Sequence, residues 1–122
     1  MDKEYKLIAL DLDGTLTDDD KKLPKRNYEV LIRAQKEHGM RVVLASGRPT
    51  YGIRLLAEQL GLARYGGFIM GYNGALLIDC ASERRIVQDV LPRSVMPDLC
   101  KAAEEYGQAL ITYDEENCTI LT

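Results

Sequence analysis

Apolar residues along this chain come first in short continuous runs and then at helical spacing. Residues 6–10 carry a nearly unbroken apolar run, the pattern of a strand buried on both faces. A polar loop over residues 17–23 leads to Pro24, which suits the first turn of a helix. Tyr28, Leu31, Ile32 and Gln35 then recur at helical spacing, Val30 and Ala34 widen that face, and Gly39 supplies a stop. Residues 40–45 read as a second buried strand. A second helix follows, with Ile53, Leu56, Ala57 and Leu60 on one face and Gly61 closing it. Residues 68–70 read as a third short strand ending in Gly71-Tyr72-Asn73-Gly74. Strand–helix–strand–helix–strand predicts a parallel sheet with right-handed crossovers.

Beyond this the periodicity changes. Residues 75–79 and 85–90 read as the arms of a hairpin around residues 81–84. After Pro92, residues 95–106 repeat the helical pattern, with Val95, Leu99, Ala103 and Tyr106 as its packing positions. Residues 109–113 and 119–121 flank an acidic turn and predict a second hairpin. The expected organisation is therefore residues 1–90 as one α/β unit with its hairpin, and residues 91–122 as the start of a separate α+β unit that stops mid-element at Thr122.

Composition narrows the function more than the fold. A net charge of −3 with sixteen scattered basic residues argues against a nucleic-acid surface. No apolar run approaches the roughly 20 residues a membrane helix needs. The first four residues are too polar for a signal peptide, and the three widely spaced cysteines suit reduced thiols, so the expectation is a cytoplasmic protein. His38 stands beside a helix-ending glycine and reads as a helix C-terminal residue rather than a base or zinc ligand.

The candidate chemistry lies where the strands end. Alternate residues of an extended chain point the same way, so Asp11 and Asp13 can face one site, and Gly14 allows a sharp turn after them. Two acids at the end of a buried strand are costly unless a cation, or an anionic ligand with its counter-ion, sits beside them. Ser46 and Arg48 follow the second strand and Asn73 the third, all at the edge where open α/β sheets bind ligands. A hydroxyl there can donate to a phosphoryl oxygen, and a guanidinium fork can reach a substrate oxygen. Asn73-Gly74 is equally a plain hairpin turn, and the run over residues 18–22 a solvated loop beside the site.

These residues carry a family resemblance. DLDGTLT (11–17) resembles the first motif of the haloacid dehalogenase-like hydrolases, ASGRP (45–49) the second, and GYNGALL (71–77) the Asn-Gly-Ala element of their Cof-type subgroup. The resemblance implies a partial Rossmann-like parallel sheet of three βα units, followed by the beginning of an α+β cap domain. It also implies a phosphatase of small phosphorylated metabolites working through an aspartyl-phosphate, with Asp11 as nucleophile and Asp13 as general acid/base. Ser46 would bind the phosphoryl group, with Arg48 and Asn73 near the substrate. Mg²⁺ would be the cofactor, held by the Asp11 carboxylate and the Asp13 main-chain carbonyl. The family's later lysine and second acidic motif have no counterpart here. The expectation is a chain incomplete as a catalyst, able to bind phosphate or a partner chain, with a first strand whose free apolar edge invites self-association.

Three rivals fit less well. A glycosyltransferase Asp-x-Asp lacks the Gly-Thr-Leu that follows here. A receiver-type phosphoacceptor domain would carry an aspartate where Tyr72-Asn73-Gly74 stands, and a dinucleotide-binding turn would read Gly-x-Gly-x-x-Gly where the chain has Asp-Leu-Asp-Gly.

Overall fold

The computed structural model describes residues 4–113 and the backbone of 118–121. The chain divides into two compact units, Met1–Gln88 and Asp89–Thr122. In the first, β1 (Leu7–Leu10), α1 (Lys25–His38), β2 (Arg41–Ala45), α2 (Tyr51–Gln59), the single-turn α3 (Leu62–Tyr65) and β3 (Phe68–Gly71) alternate as the pattern predicts. α3 is an addition, set between Gly61 and Gly66. α1 is closed by Gly39, whose φ of 62° and N–H to the Ala34 carbonyl form the left-handed cap that glycine favours.

The sheet differs from a purely parallel one. β1, β2 and β3 pair in parallel, with Leu10 opposite Leu44 and Leu44 opposite Ile69. β4 (Leu76–Asp79) and β5 (Arg85–Gln88) then extend the same sheet antiparallel, giving the order β1-β2-β3-β4-β5. A hairpin needs only a tight turn, whereas a third parallel crossover would need a helix that residues 72–75 are too short to supply.

The core forms where side chains of the helices meet those of the inner strands. Leu12, Leu16, Leu31, Val42, Leu44, Ile53, Leu56, Leu60, Leu62 and Ile69 make one buried cluster, with Ile8 and Leu10 packed against it. Gln35 sits within the apolar face of α1 and is itself buried, donating Nε2–H to the Leu60 carbonyl at 2.9 Å and so tying α1 to the end of α2. β1 departs from expectation: Leu7 is 50% exposed and Ala9 is also exposed. Among the described residues it pairs with β2 alone, and its Leu7 and Ala9 face is left uncovered.

In the second unit a 3₁₀ turn, Arg93–Val95, leads into α4 (Met96–Glu105), and β6 (Leu110–Tyr113) pairs antiparallel with β7 (Cys118–Leu121). The turn joining them lies outside the described residues. Val95, Leu99 and Ala103 are half-buried, but Tyr106, expected to pack, is 74% exposed beyond the last helical turn.

Candidate active site

The chain leaves β1 through an alternation that sorts its side chains. Leu12 is wholly buried while Asp11 and Asp13 on either side are exposed. The turn that follows hangs on one atom: the Leu12 carbonyl accepts the N–H groups of Thr15, Leu16 and Thr17 at 3.0–3.1 Å and the Thr17 hydroxyl at 3.0 Å. Gly14, at φ 77°, makes the reversal. With Leu12, Leu16 and Thr17 buried, the acids on either side of Leu12 are left exposed.

The next segment is more ordered than a solvated loop requires. Asp18 Oδ1 accepts the N–H groups of Asp20 (3.0 Å) and Lys22 (2.9 Å), and its own N–H reaches the Lys22 carbonyl at 2.9 Å. This is an aspartate folding the chain back on itself. It places the charge of Lys21 where it acts on Asp13.

Ser46 and Arg48 follow β2. The Arg48 N–H donates to Ser46 Oγ at 3.1 Å, leaving the serine its own hydroxyl proton to donate. The turn after β3 is fastened to this loop: Tyr72 N–H reaches the Arg48 carbonyl at 3.0 Å and Asn73 N–H the Ser46 carbonyl at 3.2 Å. Tyr72 and Asn73 both hold positive φ, 51° and 56°. Asparagine tolerates this region and tyrosine rarely enters it, so local strain accompanies this contact. Asn73 Oδ1 lies over Gly47, where a Cβ would come within 2.8 Å of it. Asn73-Gly74 is thus the β3–β4 hairpin turn and a neighbour of Ser46 at once.

Arg48 reaches across to the first turn. Its Nε donates to Asp13 Oδ2 at 3.1 Å and its Nη2 to Asp13 Oδ1, while Nη1 reaches the Gly52 carbonyl at 3.3 Å. These hydrogen bonds, helped by the charges of Arg48 and Lys21 and opposed by partial burial, hold the Asp13 carboxyl below the usual carboxylate range. The pair spans 35 residues of sequence, and nothing in a single sequence announces it. The turn built on Asp18 had a signal in its Asp-x-Asp pattern.

Asp13, Ser46, Arg48 and Asn73 are therefore joined by hydrogen bonds. Asp11 stands one residue past the Leu10–Leu44 pairing on the same sheet edge. As a site for a hard divalent cation, the first turn offers oxygen donors only, which suits Mg²⁺ when substrate and water complete the shell. Among the described residues no group of three or more His, Cys, Asp or Glu side chains could hold a metal by itself.

Exposed acids follow the carboxyl end of a parallel strand, with an arginine reaching one of them, at the edge where open α/β sheets bind ligands. A model of the haloacid dehalogenase-like hydrolase family matches residues 8–122. A haloacid dehalogenase-like hydrolase of known structure from Bacteroides thetaiotaomicron is similar over 95% of this chain and 43% of its own, at 48% identity and a TM-score of 0.87. The 5-amino-6-(5-phospho-D-ribitylamino)uracil phosphatase YcsE of Bacillus subtilis is 37% identical over 78 residues, 64% of this chain and 30% of that protein. Phosphatase YwpJ of the same bacterium is 35% identical over 74 residues, 61% of this chain and 25% of its own length. The chain belongs to the haloacid dehalogenase-like hydrolase family. It spans about a third of the length of the curated relatives it matches.

Proposed function

We propose that the protein, at its full natural length, hydrolyses small phosphate monoesters. The observation that carries this is the turn at residues 11–13, which buries Leu12, leaves Asp11 and Asp13 exposed, and meets the guanidinium of Arg48 at Asp13. An Asp11 carboxylate oxygen attacks phosphorus and the bond to the leaving oxygen breaks, giving an aspartyl-phosphate. Asp13 gives a proton to that oxygen. It then takes one from the water that attacks the phosphoryl group, so phosphate departs and Asp11 is regenerated. Ser46 donates its hydroxyl to a phosphoryl oxygen, and Asn73 borders the same space. Mg²⁺, held by the Asp11 carboxylate and the Asp13 carbonyl, would screen the negative charge of nucleophile and phosphate from each other.

The Cof-type reading makes residues 91–122 the start of a cap, and the substrate a sugar phosphate or similar metabolite. The similarity to YcsE, a phosphatase of a phosphorylated ribityl compound, supports that substrate class. The location would be the cytoplasm; no helix among the described residues is long and apolar enough to cross a membrane. A second reading, for residues 1–122 taken alone, is a segment that binds phosphate or a partner chain without turnover, since the family's later lysine and second acidic motif have no counterpart in this sequence.

The test is hydrolysis of p-nitrophenyl phosphate with and without Mg²⁺, by the full-length protein and its Asp11→Asn variant. Mg²⁺-dependent release of p-nitrophenol that vanishes in Asp11→Asn is expected. Turnover that persists in the variant would refute the nucleophile.

A further inference from the structure

Arg48 touches all three strand-end segments, two through its main chain and the first through its guanidinium. Toward β1 its fork grips both oxygens of Asp13. Behind, Nη1 rests on the Gly52 carbonyl in the first turn of α2. Its own main chain is fixed from two sides, by Ser46 Oγ on its N–H and by Tyr72 N–H on its carbonyl. The Arg48 side chain is 24% exposed and that of Asp13 52%, so the more buried partner holds the more exposed one. The backbone N–H groups of the Asp13 turn bond to the Leu12 and Asp11 carbonyls, so they hold its main chain and not its carboxylate.

From this geometry we infer that Arg48 is a positioning residue for Asp13: it fixes the carboxyl group that serves the leaving oxygen, and it does so through a planar fork braced on Gly52. This deepens the phosphatase reading and rests on it. The sequence suggests Arg48 as a substrate ligand, but the structure directs its fork at the proposed acid/base instead. A lysine cannot reproduce the arrangement, because an ammonium is a point charge and cannot hold two oxygens in one plane. An exposed ion pair of this kind adds little to stability, so a merely structural role would leave turnover unchanged.

The experiment compares kcat and KM of the full-length protein with Arg48→Ala, Arg48→Lys, Asp13→Asn and the Arg48→Ala/Asp13→Asn double variant, with Asp11→Asn as the reference for activity. A misplaced catalytic group costs on the order of 10–100-fold in kcat, and that loss is expected in Arg48→Ala and Arg48→Lys, with KM changed less than about threefold. The double variant is expected to be no slower than Asp13→Asn, since a lost acid needs no positioning. Millimolar guanidinium ion should restore part of the kcat of Arg48→Ala and none of that of the double variant. A raised KM with kcat intact, or additive losses in the double variant, overturns the proposal alone. Activity that survives in Asp11→Asn removes the Asp11 nucleophile and the acid/base role of Asp13 that is built on it, and this proposal falls with them; a full-length protein with no phosphatase activity removes the phosphatase reading itself. Arg48→Lys keeps the charge and allows the comparison if Arg48→Ala fails to fold.

Discussion

Gly71 and Gly47 allow the scaffold of the site to be separated from its chemistry by one methyl group at a time. Gly71 has φ −109° and ψ 175°, a conformation open to any residue, so what it needs is room. A Cβ there would lie 2.9 Å from Thr50 Cγ2, 3.0 Å from the Arg48 carbonyl oxygen and 3.3 Å from the Thr50 nitrogen. Two of these atoms are backbone, and Thr50 is buried, so nothing nearby can swing aside. Overpacking of this kind costs about 1–3 kcal/mol. If the loop backs away instead, the Tyr72–Arg48 and Asn73–Ser46 backbone hydrogen bonds weaken, at about 0.5–1.5 kcal/mol each. Alanine returns about 0.4–1 kcal/mol by restricting the unfolded chain. By either route Gly71→Ala should therefore lose about 1–2 kcal/mol.

Gly47→Ala meets Asn73 Oδ1 at 2.8 Å, the end of an exposed side chain that can rotate away. It should cost less than about 1 kcal/mol while displacing the Asn73 carboxamide from over residue 47. Urea unfolding followed by far-ultraviolet circular dichroism separates the two. With an m-value of about 1–1.5 kcal/mol per molar, Gly71→Ala should unfold about 1 M earlier than the parent and Gly47→Ala by less than that. Equal midpoints for Gly71→Ala and the parent, or equal losses in the two variants, would refute the packing argument.

Two further outcomes follow from burial and from the sheet edge. Burial, with the charges of Asp79 and Glu83, raises the Cys80 thiol from 9.0 to about 11, against a smaller opposing effect of Arg54. Keeping that thiol neutral favours the fold below pH 9, and the contribution is lost as pH rises through about 11. In a Cys100→Ser/Cys118→Ser background, iodoacetamide at pH 8 should modify native Cys80 about 100-fold more slowly than the urea-unfolded chain, and equal rates would contradict the raised thiol. Separately, Leu7 is half-exposed on β1, which has one strand neighbour among the described residues. Residues 1–122 should associate with rising concentration, and Leu7→Lys should suppress this in light scattering behind size exclusion. Undiminished association in Leu7→Lys would show that the contact lies elsewhere.

The sequence alone determined whatever depends on neighbours within a few residues. The run before Asp11, the helical spacing of Leu31, Ile53 and Leu56, and the stop at Gly39 each act through local periodicity and backbone conformation, and each element formed close to its expected bounds. The outward turn of Asp11 and Asp13 about Leu12 is of the same kind, since period-two alternation is a local property of the chain.

Tertiary structure decided what depends on which segments meet. The hairpin after Asn73 joined the parallel sheet, because a strand edge pairs with whatever the turn delivers to it. β1 kept an exposed face despite its apolar run, because burial is set by what covers a strand and not by its own residues. Arg48 turned to Asp13, because its reach crosses 35 residues that only folding brings together. The types of residue that could do the chemistry were written in order along the chain, whereas the contacts that aim them exist only where three strand ends converge.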